Sequence, residues 1–515
     1  MARHWRATQL ALLQRLPPRW QSRLLWEKTP PADRWQSWDA MPWRHPWLSP
    51  ANLRAMRDYS AQQHQRWLVA ATRLPTRACR YAFVGNLANN LYMRAQPLRE
   101  RGAAIDVFLH PDDHYVMGNP AWEESDTMLE QGETDTRALL AAGVPLKTVP
   151  GVYQIPSSGV FDTRDPTVTF RSWRVADLLR FPEYLPFKST IDALRSYDAL
   201  LAAQVPYLAY FAGRPYAATQ CGGDIWYDCS RGDKLGLLQR RAYAHAAVYL
   251  ASNPWSFAHA RRYGMHHFVY LPLILNDRVY RPAESLERVE WERRTGGKFF
   301  VFSSVRQNDT VKGTQLAIQG FAEFARERPD ARLVVTTWGQ DTANYPERYR
   351  ALGIADKVLA LPIVGKQRMI SYLQAADCML DQFVIGYYGA SALEAMACGL
   401  PTLMRTEASQ YDALCEGGAP PTLNASTAAE ICSHLRALMD DHGTRQRLGE
   451  RSRDWFLANH SAARWTPVYE ALLMLLAADT RFSFGDSPLC APLGRDERDY
   501  HAHELATAPR FPNYQ

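Results

Sequence analysis

This sequence predicts an α/β fold of two tandem domains, each on a parallel sheet, and three observations lead there. From residue 80 onward, short β-branched or apolar runs alternate with helical stretches, the pattern of repeated βαβ units. Residues 275–298 interrupt that series once, with a polar stretch that carries Pro282 and a Gly pair and has no apolar period. A chain of 515 residues, 47% hydrophobic and 22% charged, also exceeds one ordinary domain and excludes disorder or a fibrous repeat.

Residues 1–75 stand apart as a basic extension. Eleven Arg and one Lys against three Asp and one Glu give it +8, which leaves −2 for the remainder of a chain of net +6. The same segment holds 8 of the 16 tryptophans, interleaved with arginine and broken by Pro17, Pro18, Pro30 and Pro31. Residues 1–26 carry no acid and would set Trp5, Leu12, Leu13 and Leu16 on one side of a short helix, which suits contact with an anionic membrane surface. The alternative is that the tryptophans pack against the body of the protein.

A first domain follows over 76–280. Residues 80–86 read as a buried strand ending at Gly85 and Asn86, 91–102 as a helix closed by Gly102, and 104–110 as the next strand. Residues 111–190, with an acidic patch from Glu123 to Asp135, read as a solvated insertion. Strands recur at 197–203, 216–220, 247–252 and 266–272, with helices at 234–246 and 256–264. Residues 281–297 are the linker. The second domain, 298–460, is cleaner, with strands at 298–304, 331–338, 357–362, 377–383 and 400–405. Its helices lie at 314–327, where Leu316, Ala317, Phe321 and Phe324 share a face, at 366–376 and at 390–399. Residues 461–515 form a last helix and tail. Two such Rossmann-like domains imply a cleft between them.

Several function classes fall away. The eight cysteines never form Cys-x-x-Cys and read as reduced thiols of a cytoplasmic protein. No run approaches the roughly 18 to 20 apolar residues of a membrane span, and Arg15 interrupts the first apolar run before any signal-peptide cleavage site. His245, His259, His266 and His267 lack acids at metal-ligand spacing, and no Asp-x-Asp pair exists, so no obligatory metal is expected.

In open α/β sheets ligands sit beyond the carboxyl ends of strands, where a starting helix offers free N–H groups and its positive dipole end to an anion. Three places in the second domain fit. Residues 305–313 form a polar loop whose Arg306 and Lys312 suit a pyrophosphate and whose Gly313 lets the next helix begin close to a ligand. Residues 385–391, with Gly386, Tyr387, Tyr388 and Gly389, form a turn feeding a helix. The N–H groups of Gly389, Ala390 and Ser391 would meet the same anion, and Glu394 is placed to accept two ribose hydroxyls. Thr336 to Gly339, at a strand end, would border the base. Taken singly, Glu394 is a charge complementing a helix dipole, and Arg306 with Lys312 is a solvated loop. Cys398, among Ala and Met, reads as core.

The spacing Arg306-x5-Lys312-Gly313, the step Ala375-Ala376-Asp377, and the run from Gly389 through Glu394-Ala395-Met396-Ala397-Cys398-Gly399 to Pro401 carry a resemblance. They resemble the donor-binding half of the glycosyltransferases of family 4, which share the GT-B fold of two Rossmann-like domains facing a cleft. The likeness is strongest over 298–406 and extends weakly through 447–479, which resembles the family's terminal helix. In the first half Cys221-Gly222-Gly223-Asp224 resembles its His-Gly-x-Asp turn.

The resemblance implies that Arg306 and Lys312 bind the donor diphosphate and Glu394 the ribose, with Gly85, Asn86, Gly223 and Asp224 on the substrate side of the first domain. The family's sugar-contacting glutamate would stand at Gly386, and its first-domain histidine is absent. Asp381, Tyr387 and Tyr388 are candidate substitutes for the missing carboxylate. The resemblance further implies metal-independent, retaining transfer of a hexose-type sugar from a nucleotide-diphosphate sugar, with no cofactor besides that donor. The acceptor would be a saccharide or lipid-linked saccharide in surface polysaccharide synthesis, handled in the cytoplasm or on the inner membrane face. Arg306, Lys312 and the N–H groups at 389–391 would stabilise the charge that develops on the leaving phosphate.

Gly386 and the missing histidine also motivate a second reading, a non-catalytic GT-B subunit that partners an active transferase. A sugar phosphorylase would want a lysine for pyridoxal phosphate, and no motif supports one. Nucleic acid is not an expected partner, since arginine mixed with tryptophan and proline matches no recognised module.

Overall fold

Runs of Val, Leu, Phe and Ala without polar alternation suit parallel sheets covered by helices on both faces, and they form two of these. The structure, a computed structural model, describes residues 45–109, 115–129, 139, 149–155, 187–221, 223–226, 228–230 and 234–500. The stretch 1–26 read as membrane-facing lies outside them. Among the described residues no helix is long and apolar enough to cross a membrane. All eight cysteines are free thiols.

The chain divides into two units, of which the first comprises Met1–Asp112, Gly151–Leu273 and Thr466–Gln515. Its strands are β1 (Arg80–Val84), β2 (Ala104–Leu109), β3 (Val152–Gln154), β4 (Ala199–Ala202), β5 (Tyr216–Thr219), β6 (Val248–Ala251) and β7 (Phe268–Tyr270). They pair in parallel in the order β3-β2-β1-β4-β5-β6-β7. Ala82 lies opposite Asp106 on one side and Leu200 on the other, so β1 is central and the chain reverses its direction of growth between β1 and β4.

The extension is not wholly separate from this body. The helix Pro50–Ala71 begins at the cap Ser49, whose hydroxyl accepts from Asn52 N at 3.3 Å, and buries Leu53, Met56, Tyr59 and Trp67 at helical spacing. Ser60 Oγ accepts from Tyr270 N of β7 at 2.9 Å. The boundary at 75 is thereby corrected, because from Trp47 onward the apolar face of this segment is part of the first unit's core. The tail is tied down too: buried Arg261 donates to Glu497 at 2.8 Å and to the Leu489 carbonyl at 2.8 Å.

The second unit comprises Asp113–Pro150 and Ile274–Trp465. Its strands β8 (Phe299–Ser303), β9 (Ala331–Thr336), β10 (Val358–Leu361), β11 (Cys378–Leu380), β12 (Thr402–Met404) and β13 (Leu423–Asn424) run in parallel in the order β10-β9-β8-β11-β12-β13. The helix Thr314–Glu327 packs Ala317, Phe321 and Phe324 onto this sheet with Val301, Leu333 and Leu380.

Two expectations fail here for physical reasons. The linker 281–297 is mostly the helix Leu286–Thr295, capped by Ser285. Its one buried residue, Trp291, is 1% exposed and packs on Phe300, Phe302 and Tyr372, while Leu286 and Val289 face solvent. A single tryptophan makes no periodic stripe. The insertion after residue 110 is not solvated throughout: Ala121, Trp122, Leu129 and Leu139 form a small core with Ile363. Met128–Leu129 pairs antiparallel with Ile363–Val364, and a Cβ at Gly365 would meet Ser125 O at 2.2 Å, so this insertion belongs to the second unit.

Candidate functional site

The second sheet reverses its direction of growth between β8 and β11, the place where open α/β sheets bind ligands. The loops leaving these two strands and their neighbours β9 and β12 hold nearly every residue that the second domain's motifs singled out.

After β8, Asn308 caps the short helix Asp309–Lys312 by accepting from Val311 N at 2.7 Å. Gly313 then turns the chain at φ 68°, a conformation that favours glycine, directly into the helix Thr314–Glu327. A Cβ there would also press on Val384 at 3.0 Å, so the absent side chain lets the loops after β8 and β11 close on each other. Phe383 N donates to Lys312 O at 2.8 Å, and Lys312 Nζ donates to Gln382 Oε1 at 2.6 Å. Burial pushes the Lys312 pKa down; Asp381 pulls it back up and Arg306 pushes it further down, which sets both cations and the carboxylate in one electrostatic neighbourhood. The third sequence-predicted place joins the first: Gln307 N donates to Trp338 O at 2.8 Å, and Gly339, at φ 117°, leaves room that a Cβ would fill at 2.5 Å from Gln307 O.

After β11, Asp381 is 3% exposed. Its Oδ1 accepts from Ser391 Oγ at 2.6 Å, and its Oδ2 is buried without a hydrogen-bond partner among the described residues. Burial raises its pKa, with Lys312 and Ser391 acting against that. Asp381, the candidate substitute for the missing sugar carboxylate, is thus buried beside Ser391 and within the electrostatic influence of Lys312. Gly389, extended rather than left-handed, precedes the helix Ala390–Ala397, and a Cβ on it would meet nothing within 4 Å. Open space therefore lies at that helix start, beside Ala390 and the partly exposed Ser391.

Glu394 has a partner that sequence reading missed. It is 2% exposed and accepts from Lys366 Nζ at 2.6 Å. Burial works against the Lys366 ammonium, but Glu394 and Glu123 outweigh it and raise its pKa.

Tyr387 and Tyr388 are corrected as well. Both are buried; Tyr387 OH donates to Gln410 at 2.6 Å, and Tyr388 OH pairs with His460 Nε2 at 3.0 Å over a stacked Tyr411. A buried phenol needs a partner, and these have internal ones. Gly386 is buried beside a residue not expected there: a Cβ on it would meet Glu407 Cγ at 2.5 Å.

In the first unit, Gly85 takes φ 80° and passes so close to Ala203 that a Cβ would meet its carbonyl at 2.1 Å. Asn86 is corrected from a substrate contact to a cap: fully buried, it accepts from Leu91 N at 3.1 Å and Tyr92 N at 2.8 Å. Asp224, one residue after Gly223 in a single turn of helix, is buried and accepts from Tyr243 OH at 2.6 Å and from Gln204 N at 3.1 Å, so it ties loops together instead of facing substrate. Burial raises its pKa against those bonds.

Lys312 and the open start of the helix Ala390–Ala397 both lie at the sheet's switch point, and comparison with known proteins narrows the class. Residues 286–455 match the family described as glycosyl transferases group 1, so the second unit carries a domain of that family. Mannosylfructose-phosphate synthase of Agrobacterium fabrum is 28% identical over 159 residues, 29% of this chain and 35% of that protein. A D-inositol 3-phosphate glycosyltransferase of an Arthrobacter species is 27% identical over 199 residues, 37% of this chain and 47% of that protein. The chain thus spans about a third to a half of the length of the curated relatives it matches. Among solved structures, Anabaena HepE with UDP and glucose superposes with a TM-score of 0.54 at 14% identity, over 76% of this chain and 99% of that one. Sucrose-phosphate synthase of Thermosynechococcus elongatus gives 0.53 at 13% identity, over 78% and 100%. The fold is GT-B, with two parallel-sheet Rossmann-like domains.

Proposed function

We propose that the protein is a retaining glycosyltransferase of the family 4 type that moves a hexose-type sugar from a nucleotide-diphosphate sugar to a saccharide or lipid-linked saccharide acceptor in surface polysaccharide synthesis. The observation that carries this reading is the setting of Lys312, with Arg306 in its electrostatic neighbourhood, at the β8/β11 switch point. Departure of the sugar leaves added negative charge on the terminal phosphate. Lys312, Arg306 and the N–H groups at Gly389, Ala390 and Ser391 meet that charge without a metal, and they gain most in the transition state. Asp381 works against the burial that lowers the Lys312 pKa, and it accepts from the Ser391 hydroxyl. Glu394, neutralised in part by Lys366, takes the ribose hydroxyls. The work is done in the cytoplasm or at the inner membrane face, with residues 1–26 as the membrane contact.

The test is a thermal-shift screen with UDP, GDP, ADP, CMP and TDP, because a ligand that binds only the folded chain raises its melting temperature by mass action. UDP comes first, since it is the nucleotide bound in the HepE structures. The expected result is stabilisation by one nucleoside diphosphate and hydrolysis of the matching nucleotide sugar. Binding without any turnover would favour the non-catalytic subunit, for which Gly386 and the missing histidine speak. No binding at all would remove both readings.

A further inference from the structure

Between the described ends of β11 and β12, a carboxylate occupies space that one glycine leaves open. A Cβ built on Gly386 would meet Glu407 Cγ at 2.5 Å and Glu407 Oε1 at 3.0 Å, so the Glu407 side chain lies directly over the Gly386 backbone. The two are clamped: Glu407 N donates to Gly386 O at 2.9 Å. Arg405 orients the carboxylate, donating from Nη2 to Glu407 Oε1 at 3.1 Å and from Nη1 to Val384 O at 3.1 Å, while Arg405 N donates to Gln382 O at 2.8 Å. Gln382 is the residue that accepts from Lys312 Nζ. Glu407 is therefore linked through Arg405 and Gln382 to Lys312, and its side chain remains 30% exposed.

The strands β8, β11 and β12 are neighbours, so the step from the Lys312 loop to Glu407 is two strand spacings, about 10 Å. That is the reach from a terminal phosphate across a sugar ring. A partly exposed carboxylate oriented by a guanidinium can accept charge-assisted hydrogen bonds from adjacent hydroxyls. We infer that Glu407, seated over Gly386 and steered by Arg405, recognises hydroxyls of the sugar carried by the donor diphosphate. This rests on the nucleotide-sugar reading above, and it moves the sugar-recognising carboxylate from the loop after β11 to the loop after β12.

Calorimetric titration of the full chain with UDP, GDP, ADP and TDP, and with their glucose conjugates, separates the two ideas. Wild-type protein should bind one conjugate more tightly than the bare diphosphate. Glu407→Gln should reduce that margin by about tenfold, the scale of one or two hydrogen bonds to a charged group, while leaving affinity for the bare diphosphate unchanged. Gly386→Ala should do the same by pushing Glu407 aside, since the backbone there is not left-handed and tolerates alanine. The double variant Gly386→Glu with Glu407→Gly, which returns a carboxylate to the same space from the other loop, should restore part of the margin. A bound diphosphate with no margin in the wild type, or a margin unchanged in Glu407→Gln, overturns the role of Glu407 and leaves the nucleotide-sugar reading standing. Failure of every diphosphate to bind overturns that reading and this inference with it.

Discussion

Lys366 Nζ lies 2.6 Å from Glu394 Oε1, so the helix Ala390–Ala397 carries a carboxylate, 2% exposed, that is neutralised by the first residue of another helix, Lys366–Ala375. Removing one partner of a buried pair leaves an uncompensated charge, which costs about 3 kcal/mol or more. Lys366→Met should therefore lower the melting temperature sharply, and adding Glu394→Gln should recover most of it, because neither charge then remains. Glu394→Gln alone should weaken nucleoside diphosphate and nucleotide sugar equally, as expected of a ribose contact. A Lys366→Met protein that melts like wild type would mean that the pair is not formed in solution.

Much of this arrangement was legible in the sequence, and what was not has identifiable causes. The strands and helices of the second unit follow from apolar runs and the stripe Ala317-Phe321-Phe324, because those patterns report burial directly. Arg306, Lys312 and Gly313 could be grouped from the sequence because they are close in it. Glu407 was not: it stands 21 positions after Gly386 and reaches it only because β11 and β12 are paired. Lys366 was hidden in the same way, 28 positions before Glu394. Tyr387, Asn86 and Asp224 misled for a different reason. Polar residues at strand ends look the same in sequence whether they serve a ligand or satisfy the fold's own donors, as Asn86 does for Leu91 N and Tyr92 N.

Lys312→Ala should remove a charge-assisted contact to phosphate worth about 1.5 to 3 kcal/mol, and more in the transition state, where the leaving phosphate gains charge. Turnover should then fall further than donor affinity. The variant also frees Gln382, which now accepts from Lys312 Nζ, so Lys312→Arg is the companion that keeps the charge. Loss of turnover in Lys312→Ala with partial retention in Lys312→Arg supports the phosphate role. Wild-type affinity and turnover in both would exclude Lys312 from the site.

Asp381 should leave a signature in the pH dependence of stability. Its pKa is raised by burial, so between the unfolded carboxyl value, about 3.9, and the higher folded value the folded chain binds more protons than the unfolded one. Stability from this group is thus fully present below the unfolded pKa and is lost as pH rises through the folded pKa. Asp381→Asn removes that loss, so the variant should gain on the wild type as pH rises from 4 toward neutrality, while its turnover falls because Lys312 loses its nearby carboxylate. Urea unfolding at pH 4 and pH 7 measures the first effect. Parallel stability curves for the two proteins would show that the carboxyl is not buried as described.

The basic segment at residues 1–26 sets the last prediction. Residues 1–26 carry Arg3, Arg6, Arg15, Arg19 and Arg23 with no acid, and cations near an anionic surface contribute about 1 kcal/mol each. A truncation to probe this cannot start as late as residue 77, because the helix Pro50–Ala71 buries Leu53, Met56 and Trp67 in the first unit, and its removal would expose that core. A chain beginning at His45 keeps the helix and Trp47. Full-length protein should sediment with phosphatidylglycerol vesicles, less so as salt shortens the range of the attraction, and not with phosphatidylcholine vesicles. The truncated chain should stay in the supernatant and melt at the same temperature as the full chain. If both bind anionic vesicles equally, or neither does, the membrane role of residues 1–26 is excluded.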